Sequence, residues 1–167
     1  MQTMSGQDAF TNLIRSYEYH REQLLTLSRQ IRQRMREYDN ELYTLLKTIS
    51  GIGPLTSSAL ITELGDINRF PHIDHLSSFV GLIPRVRDSG ETTHTGGITF
   101  RCNSFLRTML IEASWQAIRM DPALMQYYQH HIVNSKGHKV IIKIARKLLN
   151  RIRYVMKNRQ PYVTGVA

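Results

Sequence analysis

The chain has 167 residues, 41% of them apolar, and a formal net charge of +9 from 22 Lys and Arg against 13 Asp and Glu. This supports one packed domain with an appended element and excludes wholesale disorder, while the single cysteine, Cys102, excludes a disulfide scaffold and a cysteine-only zinc cluster. No apolar run approaches a membrane span and the start, MQTMSGQD, lacks the apolar core of a signal peptide, so a cytoplasmic location and no membrane partner are expected.

Residues 7–49 predict one long helix, because no Pro or Gly interrupts the chain between Gly6 and Gly51. Phe10, Tyr17, Leu24, Ile31, Tyr38 and Leu45 recur every seven residues, and Ile14, Arg21, Ser28, Met35, Leu42 and Ile49 form the companion row. Two such rows argue for a coiled coil, roughly 60 Å long at the helical rise. A lone helix cannot bury both rows. A homodimer or higher oligomer through residues 10–49 is therefore expected, with a helix folded back on the rest of the chain as the alternative.

Gly51 and Gly53 end this helix, and Pro54 is placed to open another that closes at Gly65. The pattern is that of a helix-hairpin-helix, whose glycines uncover backbone N–H groups for a phosphate oxygen. A plain helical hairpin needs the same glycines only for the turn. Residues 66–83 predict a linker and a short helix. His72 and His75 flank Asp74 there, a weak signal for a metal site.

Residues 84–103 are dense in Gly, Ser and Thr and predict a long functional loop. It carries Arg85, Arg87 and Arg101, with Arg107 one turn into the next helix, and it carries Ser89 between Asp88 and Gly90. Arginines around a hydroxyl suit phosphate chemistry: guanidinium groups clamp phosphate oxygens while the serine attacks phosphorus. Asp-Ser-Gly is also an ordinary turn.

The remainder predicts helices. Asn103 or Ser104 caps one running to about Met120, Pro122 opens another to about Val133, and residues 138–158 form the last. The last helix has an apolar stripe of Ile141, Ile144, Ala145, Leu148, Ile152 and Val155, and cations including Lys143, Arg146, Lys147 and Arg151 on much of the rest. Residues 1–122 hold all 13 acids and 13 Lys and Arg, so the whole net charge falls in residues 123–167, which hold 9 Lys and Arg and no acid. Such a segment points to a polyanion, and nucleic acid is the commonest one for a cytosolic protein.

Taken in order, "GIGPLTSSALITELGDINRF", "FVGLIPRVRDSG", "HTGGITFRCNSFLRTMLIEAS" and "ARKLLNRIRYVMKN" resemble the C-terminal half of DEDD-type insertion-sequence transposases, the IS-one-ten family, which are relatives of the Piv invertases. The resemblance spans about residues 45–162, and the heptad segment is similar to the coiled coil that joins the two halves in that family. It implies a serine that attacks DNA and becomes linked to it, a guide RNA, and a RuvC-like half whose four acidic residues bind metal. The serine matching "PRxxxSG" is Ser89, with Ser104 and Ser77 as fallbacks; Arg85, Arg101 and Arg107 fall at matching basic positions and become phosphate contacts.

No acidic set here replaces the RuvC-like half, so no metal site or cofactor is expected in this chain and magnesium is expected in the other half. The chain is then expected to be inactive alone. Where the family has a lysine and a glycine near "ITKRGN", this sequence has Phe100 and Cys102, which predicts a lost contact and a strained turn. The expectation is a mostly helical, all-α protein: a coiled-coil helix over 1–47, a compact helical domain with a helix-hairpin-helix over 48–160, and a tail over 161–167. The expected function is the DNA-binding part of a transposase; the alternative is a non-catalytic helix-hairpin-helix module that dimerises by its coiled coil.

Overall fold

In the computed structural model, residues 3–89, 92–98 and 102–163 are described, with side chains over 6–83 and 102–163. The protein is all-α in class. Helix α1 spans Thr3–Leu46, α2 Pro54–Leu64, α3 Ile73–Val80, α4 Ser104–Met120, α5 Pro122–Ile132 and α6 Gly137–Asn158, with a short 3-10 turn at Ile67–Arg69.

Local chemistry sets most of these boundaries. Pro54 occupies the first turn of α2, and Gly65 closes it by donating its N–H to the Ile61 carbonyl at 3.1 Å. The Asn103 side chain accepts from Leu106 N at 2.9 Å and opens α4. Asp121 does the same for α5, accepting from Ala123 N and Leu124 N, with Pro122 at its first position. The Asn103 and Asp121 caps satisfy first-turn amides, and the Gly65 N–H satisfies a last-turn carbonyl.

Helix α6 is the centre of the core. Val140, Ile144, Ala145, Leu148, Leu149, Ile152 and Val155 are fully enclosed. They pack against α4, α5, α3 and the C-terminal end of α1. Burial of a Leu or Ile side chain contributes about 1.5–3 kcal/mol, so this one stripe anchors the fold.

Helix α1 divides in two. Leu42, Tyr43 and Leu46 enter the core, with Ile49 just beyond the helix, whereas Phe10, Ile14, Tyr17, Leu24, Ile31 and Tyr38 are exposed. The division coincides with a break that the heptad pattern does not predict. Asp39 has non-helical angles, φ −155° and ψ 79°. Its carboxylate accepts from Leu42 N at 2.9 Å and so caps a new, short helix. The same carboxylate is gripped from two sides by Arg159, at 3.0 and 2.8 Å. Hydrogen bonding from that guanidinium holds the Asp39 carboxyl below the usual carboxylate range, and Asp39 in turn raises Arg159.

Segment 84–98 corrects the expected loop. It is an antiparallel hairpin, β1 Pro84–Ser89 and β2 Thr92–Ile98, in one register from Val86–Thr95 to Ser89–Thr92, with a shift between that run and the Pro84–Ile98 pair. Val86, Thr92, Thr93, Thr95 and Ile98 are β-branched, and that residue type favours an extended backbone whether or not it is buried.

The base of the hairpin is pinned. Gly81 ends α3 in the left-handed region at φ 82°, with its N–H bonded to the Ser77 carbonyl at 2.9 Å. A side chain there would collide with Cys102, whose Sγ would lie 2.5 Å from the added carbon. Asn103 N donates to the Phe79 carbonyl at 2.8 Å, and Asn103 Nδ2 to Glu63 at 2.6 Å. The chain therefore leaves α3 and returns to α4 at one place.

Candidate nucleic-acid interface

The expected site residues fall into three places. The first is the turn between α1 and α2. Gly51 has φ 84°, and an added Cβ would lie 2.4 Å from the Ala113 carbonyl and 2.8 Å from Ala117 N, so glycine is required for the turn to sit on α4. Gly53 is the N-cap of α2, with open space around it and its carbonyl accepting from both the amide and the hydroxyl of Ser57.

The second place is the hairpin and its base. Ser89 is the last residue of β1, with its backbone paired to Thr92. Arg85 and Arg87 lie on the same strand, Arg87 opposite His94. Arg101 and Phe100 lie outside the described residues, as do the side chains of Arg85, Arg87 and Ser89. Arg107, on the first turn of α4, donates to Cys102 Sγ at 3.2 Å. Cys102 is not in the left-handed region: among the described residues Arg159 is the one non-glycine with positive φ. The turn strain expected from a missing glycine is therefore absent. Of the fallback serines, Ser104 is exposed at the start of α4. Ser77 is fully buried in α3, and its hydroxyl has no partner among the described residues.

The third place gathers most of the expected cations. Lys143, Arg146, Lys147 and Arg151 recur at helical spacing along α6 and line one groove of about 590 Å³ with Asn150, Ile73 from α3 and Tyr127 from α5. Their states differ. Arg146 pairs with the exposed Asp74 on α3. Arg151 pairs with Asp121, whose side chain is 1% exposed against 15% for Arg151. It also lies 4.6 Å from the centroid of Tyr162. Among the described residues neither Lys143 nor Lys147 has an acidic partner. The mobile positive charge of the groove is thus carried by the two lysines, with Lys147 Nζ 4.3 Å from the centroid of Tyr127.

Ile73, Tyr127 and Asn150 are the groove residues that sequence reasoning missed. Asn150 could have been found, since it lies three and four residues beyond Lys147 and Arg146 on one helix face. Tyr127 comes from another helix and had no sequence signal.

Among the described residues no three His, Cys, Asp or Glu side chains come together as metal donors. His72 and His75 face each other with ring centroids 6.1 Å apart and no third donor. Two imidazoles are not the oxygen donors that a magnesium ion takes. No described helix is long and apolar enough to cross a membrane.

Comparison with known proteins gives the class. Residues 43–129, from the end of α1 through most of α5, match the family described as Transposase IS116/IS110/IS902. The chain belongs to this family of insertion-sequence transposases. It is 33% identical over 126 residues to the pilin gene-inverting protein of Moraxella bovis, covering 74% of this chain and 39% of that protein. It is 32% identical over 150 residues to the transposase of insertion sequence IS1328 from Yersinia enterocolitica, covering 87% of this chain and 44% of the relative. With the IS1111A transposase of Coxiella burnetii the identity is 31% over 123 residues, covering 72% and 31%. The chain thus spans less than half the length of these curated relatives.

Proposed function

We propose that this chain is the DNA-binding C-terminal part of an insertion-sequence transposase, and that Ser89 is its nucleophile. The observation that carries this reading is the family match over residues 43–129, which encloses the glycine turn, the whole hairpin and Arg107. In the proposed step the Ser89 hydroxyl oxygen bonds to phosphorus, and the displaced strand leaves as a hydroxyl. Arg85, Arg87, Arg101 and Arg107 hold the phosphate and the charge that builds on it. The pinned hairpin base holds the serine-bearing strand at a fixed place relative to α3 and α4. Gly51 and Gly53 form a helix-hairpin-helix contact to the DNA backbone, and the α6 groove supplies a second contact through Lys143 and Lys147. Residues 10–38 pair two or more copies as a coiled coil, and a guide RNA is a further partner.

The test supplies a RuvC-like half from a relative, with magnesium and element DNA, and assays for a covalent protein–DNA product. The product is expected with the native chain and with Ser104→Ala, and is expected to vanish with Ser89→Ala. An adduct that survives Ser89→Ala removes Ser89 from this role. Nucleic-acid binding with no adduct under any condition supports the non-catalytic module instead.

A further inference from the structure

The α6 groove contains more than an electrostatic contact needs. A duplex turns its phosphates outward and keeps its bases stacked within, so lysines alone suffice to hold it. An unpaired nucleotide offers an anion and a flat π-face together. The groove has a partner for each: Lys143 and Lys147 for the phosphate, and Tyr127 with Ile73 for the base, around a space of about 590 Å³. That volume lies within the range of about 300–1,000 Å³ that takes a small ligand.

The aromatic side of the groove is built. The His131 ring stacks on Tyr127, with centroids 4.0 Å apart and planes 24° from parallel. His131 Nδ1 lies 3.0 Å from the Tyr127 carbonyl, which fixes the pair on consecutive turns of α5. With one face covered by His131, the Lys147 ammonium takes the other, 4.3 Å from the ring centroid. Lys147 is exposed on a flexible stem, so its ammonium can turn to a phosphate while a base replaces it on the ring. Stacking of a base on an aromatic side chain is stronger than an exposed cation–π contact, so the exchange is favourable. Arg146 and Arg151 hold the walls through Asp74 and Asp121.

We propose that the groove between α3, α5 and α6 binds an unpaired nucleotide of a single strand, with its base on Tyr127 and its phosphates on Lys143 and Lys147. This rests on the reading of that groove as a nucleic-acid interface and narrows it to unpaired strands.

The test is fluorescence anisotropy on the full chain with short labelled probes of one mixed sequence. The probes are a DNA strand, an RNA strand, the DNA duplex, and a DNA strand made of abasic nucleotides. At matched salt the strands are expected to bind more tightly than the duplex. Tyr127→Leu is expected to weaken strand binding about tenfold or more and leave duplex binding unchanged, which also reports that the variant is folded. Tyr127→Trp is expected to retain strand binding. The abasic strand is expected to bind the native chain weakly and to lose nothing further with Tyr127→Leu. A loss shared by DNA and RNA identifies the feature recognised as the unpaired base, and a loss in one alone identifies that strand as the source.

Equal losses for strand and duplex, or an abasic strand bound as tightly as the intact one, overturn the proposal. Lys143→Gln with Lys147→Gln keeps the two readings apart. If it weakens every probe while Tyr127→Leu weakens none, the interface stands and the nucleotide site falls. If it weakens none, the interface itself falls.

Discussion

Arg151 and Lys143 look alike in the sequence and behave as different residues in the structure. Both are cations on one face of α6 and both line the basic groove. Arg151, however, is the partner of an almost fully enclosed carboxylate: Asp121 holds the first turn of α5 through two amides and depends on Arg151 to balance its charge. Removing one member of such a pair leaves the other charge buried and unbalanced. Arg151→Ala is expected to lower stability by about 3–5 kcal/mol. Lys143→Gln, exposed and without an acidic partner among the described residues, is expected to stay within about 0.5 kcal/mol of the native chain. Urea unfolding of the two variants measures both values. The spacing of the cations was legible in the sequence, whereas their division was not. The acids that hold Arg146 and Arg151 are 72 and 30 residues away along the chain, and no local pattern points to them.

Among the elements, those with a chemical stop or start were readable. Pro54, Gly65, Asn103 and Pro122 lie at or next to the helix boundaries that they predict, because capping and the missing proline N–H act within a few residues. The hairpin was misread as a loop because its composition is polar, and polarity reports burial rather than backbone shape. Its β-branched residues carried the better signal. The break in α1 was overlooked for a different reason: Asp39 and Asn40 are cap-forming residues, but with no Pro or Gly beside them the heptad pattern outweighs that local signal, and the partner Arg159 is 120 residues distant. The pair has a consequence for acid stability. Because the folded-state pKa of Asp39 is depressed, its contribution is fully present above the unfolded carboxylate value of about 3.9 and is lost as pH falls through the lower folded value. Thermal melts of the native chain are expected to fall more steeply below about pH 4 than those of Asp39→Asn, which starts from a lower stability at neutral pH.

For the whole molecule, the unpaired stretch of α1 is the feature that a single copy leaves unresolved. Phe10, Leu13, Tyr17, Leu24, Leu27 and Tyr38 are exposed on a helix that continues from a well-packed body, and apolar surface of this extent marks an interaction site. Sedimentation of the native chain is expected to show a dimer or larger species, and Leu24→Glu with Ile31→Glu is expected to shift it to the monomer without changing the unfolding midpoint of the helical domain. A native chain that sediments as a monomer removes the coiled-coil reading. The position of Asp39 gives this helix a mechanical character. From Gly6 to Tyr38 it extends roughly 50 Å beyond its non-helical joint. At that length, a rotation of about 10° at the joint carries the far end through roughly 9 Å. The joint does not act alone: Met35 packs on the core and the stretch from Leu27 to Glu37 lines a groove with Leu55, Phe105 and Met109, so the Arg159–Asp39 pair and this packing together set where the far end points.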